Sequence, residues 1–172
     1  MFLKVFKDNS NQKYINKLLA ARKATVDSRK ISSVGVILNI NEYKDFEAFR
    51  TYIKELGIKP NKTKIITFIK DKKDINFHWE TYLTPQDFGW KGKINNVELQ
   101  TFIDTEFDAL ISFFKDDVLE LNSIVAQSKA NFKIGISNTD RRLYDLIIDI
   151  KPSQFGIFKE ELKKYLTVLN KL

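Results

Sequence analysis

The chain has 172 residues, 43% of them hydrophobic with fourteen phenylalanines, and it contains no cysteine and one histidine. That length suits one domain, which typically buries about 70% of its unfolded surface; the missing thiols exclude a disulfide framework, a thiolate metal site and a cysteine nucleophile, and a lone His78 excludes a histidine-rich metal centre within one chain. The net charge of +7 is uneven, because residues 1–30 hold eight Lys and Arg against two Asp while the rest holds twenty-one against twenty.

After Phe2, Leu3, Val5 and Phe6, any of Asn9, Ser10 and Asn11 suits the cap of a helix starting near Gln12. On a helical wheel Tyr14, Ile15, Leu18 and Leu19 share one face, and Lys13 and Lys17 lie opposite, so the helix is amphipathic. Arg22 falls within the apolar span and must snorkel, pair with a carboxylate or reach a partner. Residues 1–30 therefore read as a basic N-terminal helical arm. Its Lys4, Lys7, Lys13, Lys17, Arg22, Lys23, Arg29 and Lys30 are the candidates for contacting an anionic partner. RNA or a ribonucleoprotein ranks ahead of a membrane surface, because the arm has few large aromatics beyond Phe2, Phe6 and Tyr14. The plainer reading packs the helix on the domain and leaves its lysines in water.

Residues 31–172 read as a single α/β domain. Val34 to Ile40 predict a strand, and Tyr43 to Leu56, ending at Gly57, predict an amphipathic helix. Ile65 to Ile69 predict a second strand. Residues 71–106 are less regular: Asn76 to Leu83 alternate like a short strand, Thr84 to Asn96 carry turn residues, and Leu99, Phe102 and Ile103 suggest a short turn. The aromatics here, Phe77, Trp79, Tyr82, Phe88 and Trp90, suit plugging a sheet edge or a helix gap, with ligand or base stacking as the other reading, and the segment also suits the interface of a homo-oligomer. Ala109 to Phe114 predict a buried strand. Asp116 and Asp117 open a helix over Val118 to Val125, where they suit its positive end as caps. Phe132 to Ile136 and Leu146 to Ile150 predict two more strands, separated by a polar loop, and Phe155 to Leu172 a final helix. Strands alternating with helices predict a three-layer, Rossmann-like or flavodoxin-like sandwich with a mostly parallel sheet and right-handed crossovers.

In such sheets ligands sit beyond the carboxyl ends of the strands. Here those ends supply a polar rim that includes Glu42 after the first strand, and its candidate ligand residues are Asn39, Asn41, Lys115, Asp116, Ser137, Asn138, Arg141 and Arg142, with the small molecule unspecified. Glycine-rich phosphate loops are missing: Gly35 lies inside a strand and Gly135 is alone within KIGIS. No cofactor and no metal is expected, and no serine has a histidine partner in its sequence context. No apolar run approaches the ~20 residues of a membrane span, so a cytoplasmic protein is expected.

The runs VGVILNI, FDALISFF, LNSIVAQSKANFKIGIS and YDLIIDI carry a resemblance to a family of small uncharacterised proteins, a domain of unknown function, from flavobacteria and related Bacteroidetes. The SKA and KIG pattern is also similar to the first half of heptose-adding glycosyltransferases, which implies a nucleotide-sugar ligand. The leading expectation is a non-catalytic binding or adaptor protein working through the arm.

Overall fold

The computed structural model describes residues 1–23, 26–71 and 82–172. Six strands form one parallel sheet: β1 (Val34–Asn39), β2 (Thr63–Phe68), β3 (Tyr82–Leu83), β4 (Ala109–Phe113), β5 (Phe132–Gly135) and β6 (Leu146–Ile147), in the order β3-β2-β1-β4-β5-β6. The helices are α1 (Phe2–Ala21), α2 (Phe46–Glu55), α3 (Val97–Asp104), α4 (Leu119–Gln127) and α5 (Phe155–Val168).

The sheet grows outward from β1 and β4 in opposite directions. Right-handed crossovers moving in opposite directions place their helices on opposite faces. Accordingly α2, between β1 and β2, packs with α5 through Phe49, Tyr52, Phe158 and Leu162, whereas α4, between β4 and β5, packs with α1 and α3 on the other face. Both faces are covered, so β1 and β4 are buried at every position and their sequences read as continuous apolar runs. Side chains still alternate between layers: Val36 and Leu38 join the α2 and α5 side, and Ile37 joins the other. Among the described residues no helix is long and apolar enough to cross a membrane.

Four local expectations are revised. α1 starts at Phe2, not near Gln12, and Asn11 sits inside it as a buried docking group. Its side-chain amide donates to the Gly89 carbonyl at 2.9 Å and its oxygen accepts from the Gly92 N–H at 2.9 Å. Gly92 has φ of +77° and lies so close that a Cβ would stand 2.1 Å from the Tyr14 ring, so the turn and the helix fit only through a glycine. Leu99, Phe102 and Ile103 belong to a helix, α3, capped by Asn96, which accepts from the Leu99 N–H at 3.0 Å. The strand expected over Leu146 to Ile150 shortens to Leu146–Ile147. Asp116 and Asp117 do not cap α4, which begins at Leu119 without a side-chain cap; Asp117 instead accepts from the Asn122 amide at 2.7 Å. Of the short strand expected over Asn76 to Leu83, Tyr82 and Leu83 form β3 and the rest lies outside the described residues, as do Phe77, His78 and Trp79.

At the amino ends of the two central strands one carboxylate organises the entry to β1. Asp108 accepts from the backbone N–H groups of Ser32 and Ser33 at 3.0 and 2.9 Å, and from both hydroxyls. Burial pushes its pKa up, but these hydrogen bonds outweigh burial and hold it below the ordinary carboxylate value.

Asn11→Ala, which strands two backbone groups, should cost about 1–3 kcal/mol, and Ile15→Ala about 2–5 kcal/mol, both within a single urea transition; unchanged midpoints would show α1 to be independent of the body. For Asp108, stabilisation is present above its unfolded value of about 3.9 and is lost as pH falls through the lower folded value. Acid titration of stability should therefore be shallower in Asp108→Asn than in the parent chain.

Candidate functional site

The reversal of winding direction between β1 and β4 opens a crevice at their carboxyl ends, where open α/β sheets place ligands. Chain geometry brings six of the eight candidate ligand residues there, and Glu42, which follows the same strand as Asn39 and Asn41, fills the crevice. Glu42, just past β1, reaches over to β4: its carboxylate accepts from the backbone N–H of Lys115 at 2.6 Å and of Asp116 at 3.2 Å. Asn39 steadies it, donating its side-chain amide to Glu42 at 2.9 Å while its oxygen accepts from the Asn41 N–H at 3.2 Å. Two successive backbone N–H groups pointing at one carboxylate form an anion nest occupied by the protein's own side chain.

The rest of the rim is equally self-contained. The Lys115 ammonium donates to the Ile136 carbonyl at 3.1 Å and pairs with Asp149. Asn138 donates to the other Asp149 oxygen at 2.6 Å, and the Ser137 hydroxyl donates to the Lys115 carbonyl at 3.1 Å. Six of the eight predicted residues thus contribute side-chain or backbone groups to one network. Arg142 stands aside: it pairs with Asp140 at 2.7 Å and donates to Asn16 of α1 at 3.0 Å. That hydrogen-bonded arginine holds Asp140 below the ordinary carboxylate value. Arg141 is exposed and joins none of these bonds.

Behind the rim lies a buried hydroxyl pair. Tyr144 packs flat enough over β5 that a Cβ on Gly135 would stand 2.5 Å from its ring, and Gly135 pairs in register with Ser112 of β4. Neither the Tyr144 nor the Ser112 hydroxyl reaches full hydrogen-bond geometry with any described residue. Burial drives the Tyr144 phenol far above its usual range, opposed by the nearby Ser112 hydroxyl, so the phenol stays neutral. Among the described residues no group of three or more His, Cys, Asp and Glu is placed to hold a metal ion.

The eight basic residues of the amino-terminal segment do not converge. Lys13 and Lys17 lie one turn apart on the outward face of α1, and Lys4 and Lys7 lie in its first turns. Arg22 pairs with Asp145 at 2.6 Å and donates to the Arg142 carbonyl at 2.9 Å, so the carboxylate alternative is the one realised. Arg29 pairs with Asp27 at 2.5 Å, and Lys30 reaches Asn170 and the Leu172 main-chain oxygen, beyond α5 on the other side of the sheet. Lys171 anchors this crossing through the Asp27 and Arg29 carbonyls. Lys4, Lys7, Lys13, Lys17 and Lys23 make no ion pair among the described residues. At the start of α1 the apolar residues wrap all round: Phe2 is 80% exposed, Leu3 74% and Phe6 62%.

A model of a family of unknown function matches residues 7–169, nearly the whole chain. The chain belongs to that family, DUF6913. The match takes in most of α1 along with the sheet and begins just after the exposed apolar turn. No curated protein and no solved structure matches the chain.

The sequence places Glu42 at the end of the first strand but does not show that it fills the crevice, and sequence reasoning missed Lys133 as a buried charge. The role of Glu42 has no local pattern, since the two N–H groups it accepts from lie more than seventy residues away. Lys133 had one: a lysine inside a strand covered on both faces must find a partner. Glu42→Ala leaves the Lys115 and Asp116 N–H groups without an acceptor and should cost about 1–3 kcal/mol in urea denaturation.

Proposed function

We propose that this protein is a non-catalytic binding protein that presents the outward side of α1 to an anionic partner, RNA or a ribonucleoprotein. The observation that carries the reading is the state of α1. Its inward face is fixed to the body by Asn11, Ile15 and Leu19, while Lys13 and Lys17 face water without carboxylate partners. A rigid helix with unpaired lysines binds phosphates without first having to order itself. Phe2 and Phe6, exposed at the tip, suit stacking on unpaired bases or an apolar pocket in the protein part of a ribonucleoprotein.

The strand-end rim supports the non-catalytic part of the reading. A nucleotide-sugar ligand, the class implied by the glycosyltransferase likeness, would have to displace the Glu42 carboxylate from the two N–H groups best placed for its phosphates. A membrane surface is the second reading, favoured by one observation: Phe2, Leu3, Val5 and Phe6 surround the helix end beside Lys4 and Lys7, as in interfacial helices that combine apolar insertion with cationic attraction.

Deleting residues 1–30 would uncover the core around Ile15 and Leu19, so the test uses surface substitutions. Lys13→Glu with Lys17→Glu should weaken binding to single-stranded RNA in fluorescence anisotropy and reduce the slope of log affinity against log salt by about 0.7 per lost phosphate contact. Phe2→Ser with Phe6→Ser should weaken RNA binding only modestly, and a loss confined to anionic vesicles would favour the membrane reading. Full affinity in both double variants would overturn the reading.

A further inference from the structure

Away from the rim and the outward face of α1, a cavity of about 400 Å³ opens between the carboxyl ends of α1 and α4 and the start of β5. Its polar lining is Arg22, Lys23, Ser128, Lys129, Asn131 and Lys133, and its remaining walls are small or apolar. Four cations meet here. Asp145 answers Arg22 at 2.6 Å and Asp104 answers Lys129 at 2.9 Å, which leaves Lys23 and Lys133 unanswered. The two helix carboxyl ends together supply about one negative charge, so they offset only about half of that excess.

Lys133 is the unusual member. It is 5% exposed, and its ammonium donates to the Val125 carbonyl at 2.7 Å; an ammonium has three donors, and no other described group accepts from this one. Its backbone N–H is held by Asp145 at 2.8 Å, which fixes the residue in the strand and its side chain against the cavity. Ser128 accepts from the Ala130 N–H at 3.2 Å, and its own proton is donated to no described residue. Burial is the main cause that lowers the Lys133 pKa to about 8, with the Arg22 charge acting in the same direction and Asp145 against it. An uncompensated buried charge is costly, and a bound anion would relieve it.

We infer that this cavity binds a phosphate group, as the free ion or as a small monoester, through Lys133, Lys23 and the Ser128 hydroxyl. The volume is within the range of small-molecule sites, and the alanine and leucine walls leave room for a short apolar substituent. This site is separate from Lys13 and Lys17, so neither reading depends on the other.

The test is a titration of the full chain with sodium phosphate at constant ionic strength and pH 7, followed by amide ¹H–¹⁵N spectra, with chloride as the control. Signals of Lys133, Ser128 and Arg22 should shift and saturate with phosphate and not with chloride. Lys133→Met and, separately, Lys23→Ala should each weaken the apparent affinity about tenfold or more, the size of one lost hydrogen bond to a charged group. Lys23 is exposed, so the second variant keeps the fold whatever the first does. Phenyl phosphate competing for the same shifts would assign the monoester class, and its exclusion beside saturable phosphate binding would assign the free ion. Shifts that grow linearly with phosphate, or saturable shifts of equal affinity in both variants, would overturn the site. Lys13→Glu with Lys17→Glu should leave the titration unchanged, which separates this outcome from any loss of RNA binding.

Discussion

The pairing of β1 with β4 is the constraint on which the rest of the molecule depends. These two strands are buried on both faces, and from them the sheet is wound outward in both directions. Because the crossovers are right-handed, that one pairing decides that α2 and α5 share a layer and that α1, α3 and α4 share the other. It also creates the crevice at the strand ends. What is distinctive is how that crevice is used: Glu42 from the β1 side satisfies the backbone N–H groups on the β4 side, so the feature that commonly receives a ligand here stitches the two halves of the sheet together.

A consistent division of labour runs through the charged residues. At the carboxyl edge of the sheet the polar groups answer one another, through Glu42, Lys115, Asp149 and Asn138. At the amino edge Asp108 does the same for Ser32 and Ser33. Many lysines across the described residues form no ion pair; among them Lys13 and Lys17 stand together on α1, and Lys23 and Lys133 meet at the cavity below its carboxyl end. Surface lysines in water cost little, so Lys13 and Lys17 are compatible with a purely solvated face. A lysine as buried as Lys133 is a different case, because its charge is held away from water with only one acceptor in reach.

α1 changes meaning between sequence and structure. As a sequence, residues 1–30 stand apart in charge from the body and are compatible both with a helix packed on the domain and with an arm that reaches a partner. In the fold, Asn11 hydrogen-bonds the turn at Gly89 to Gly92, Ile15 and Leu19 enter the core, Arg22 binds Asp145, and Arg29 and Lys30 cross to the far side of the sheet. The excess charge is therefore spread over two sides of the molecule, and within α1 only Lys13 and Lys17 share one outward face.

The sequence by itself determined the layer architecture, because burial on both faces forces apolar runs at β1, β4 and β5 and a period near 3.6 residues on the helices that cover them. It also located the rim, since parallel strands deliver the residues that follow them to one edge. The helix over Val97–Asp104 was misread because its apolar set is only Leu99, Phe102 and Ile103, too few to establish a period. Asp116 and Asp117 looked like caps because acidity near a helix start is a local pattern, yet where α4 begins was decided by packing. Tertiary structure alone decided that Glu42 fills the crevice and that Arg22 meets Asp145. It alone decided, too, that Lys133 faces a cavity shared with Lys23. Each depends on residues far apart in sequence being brought within a few ångströms by strand order, and no local pattern of residue types encodes that distance.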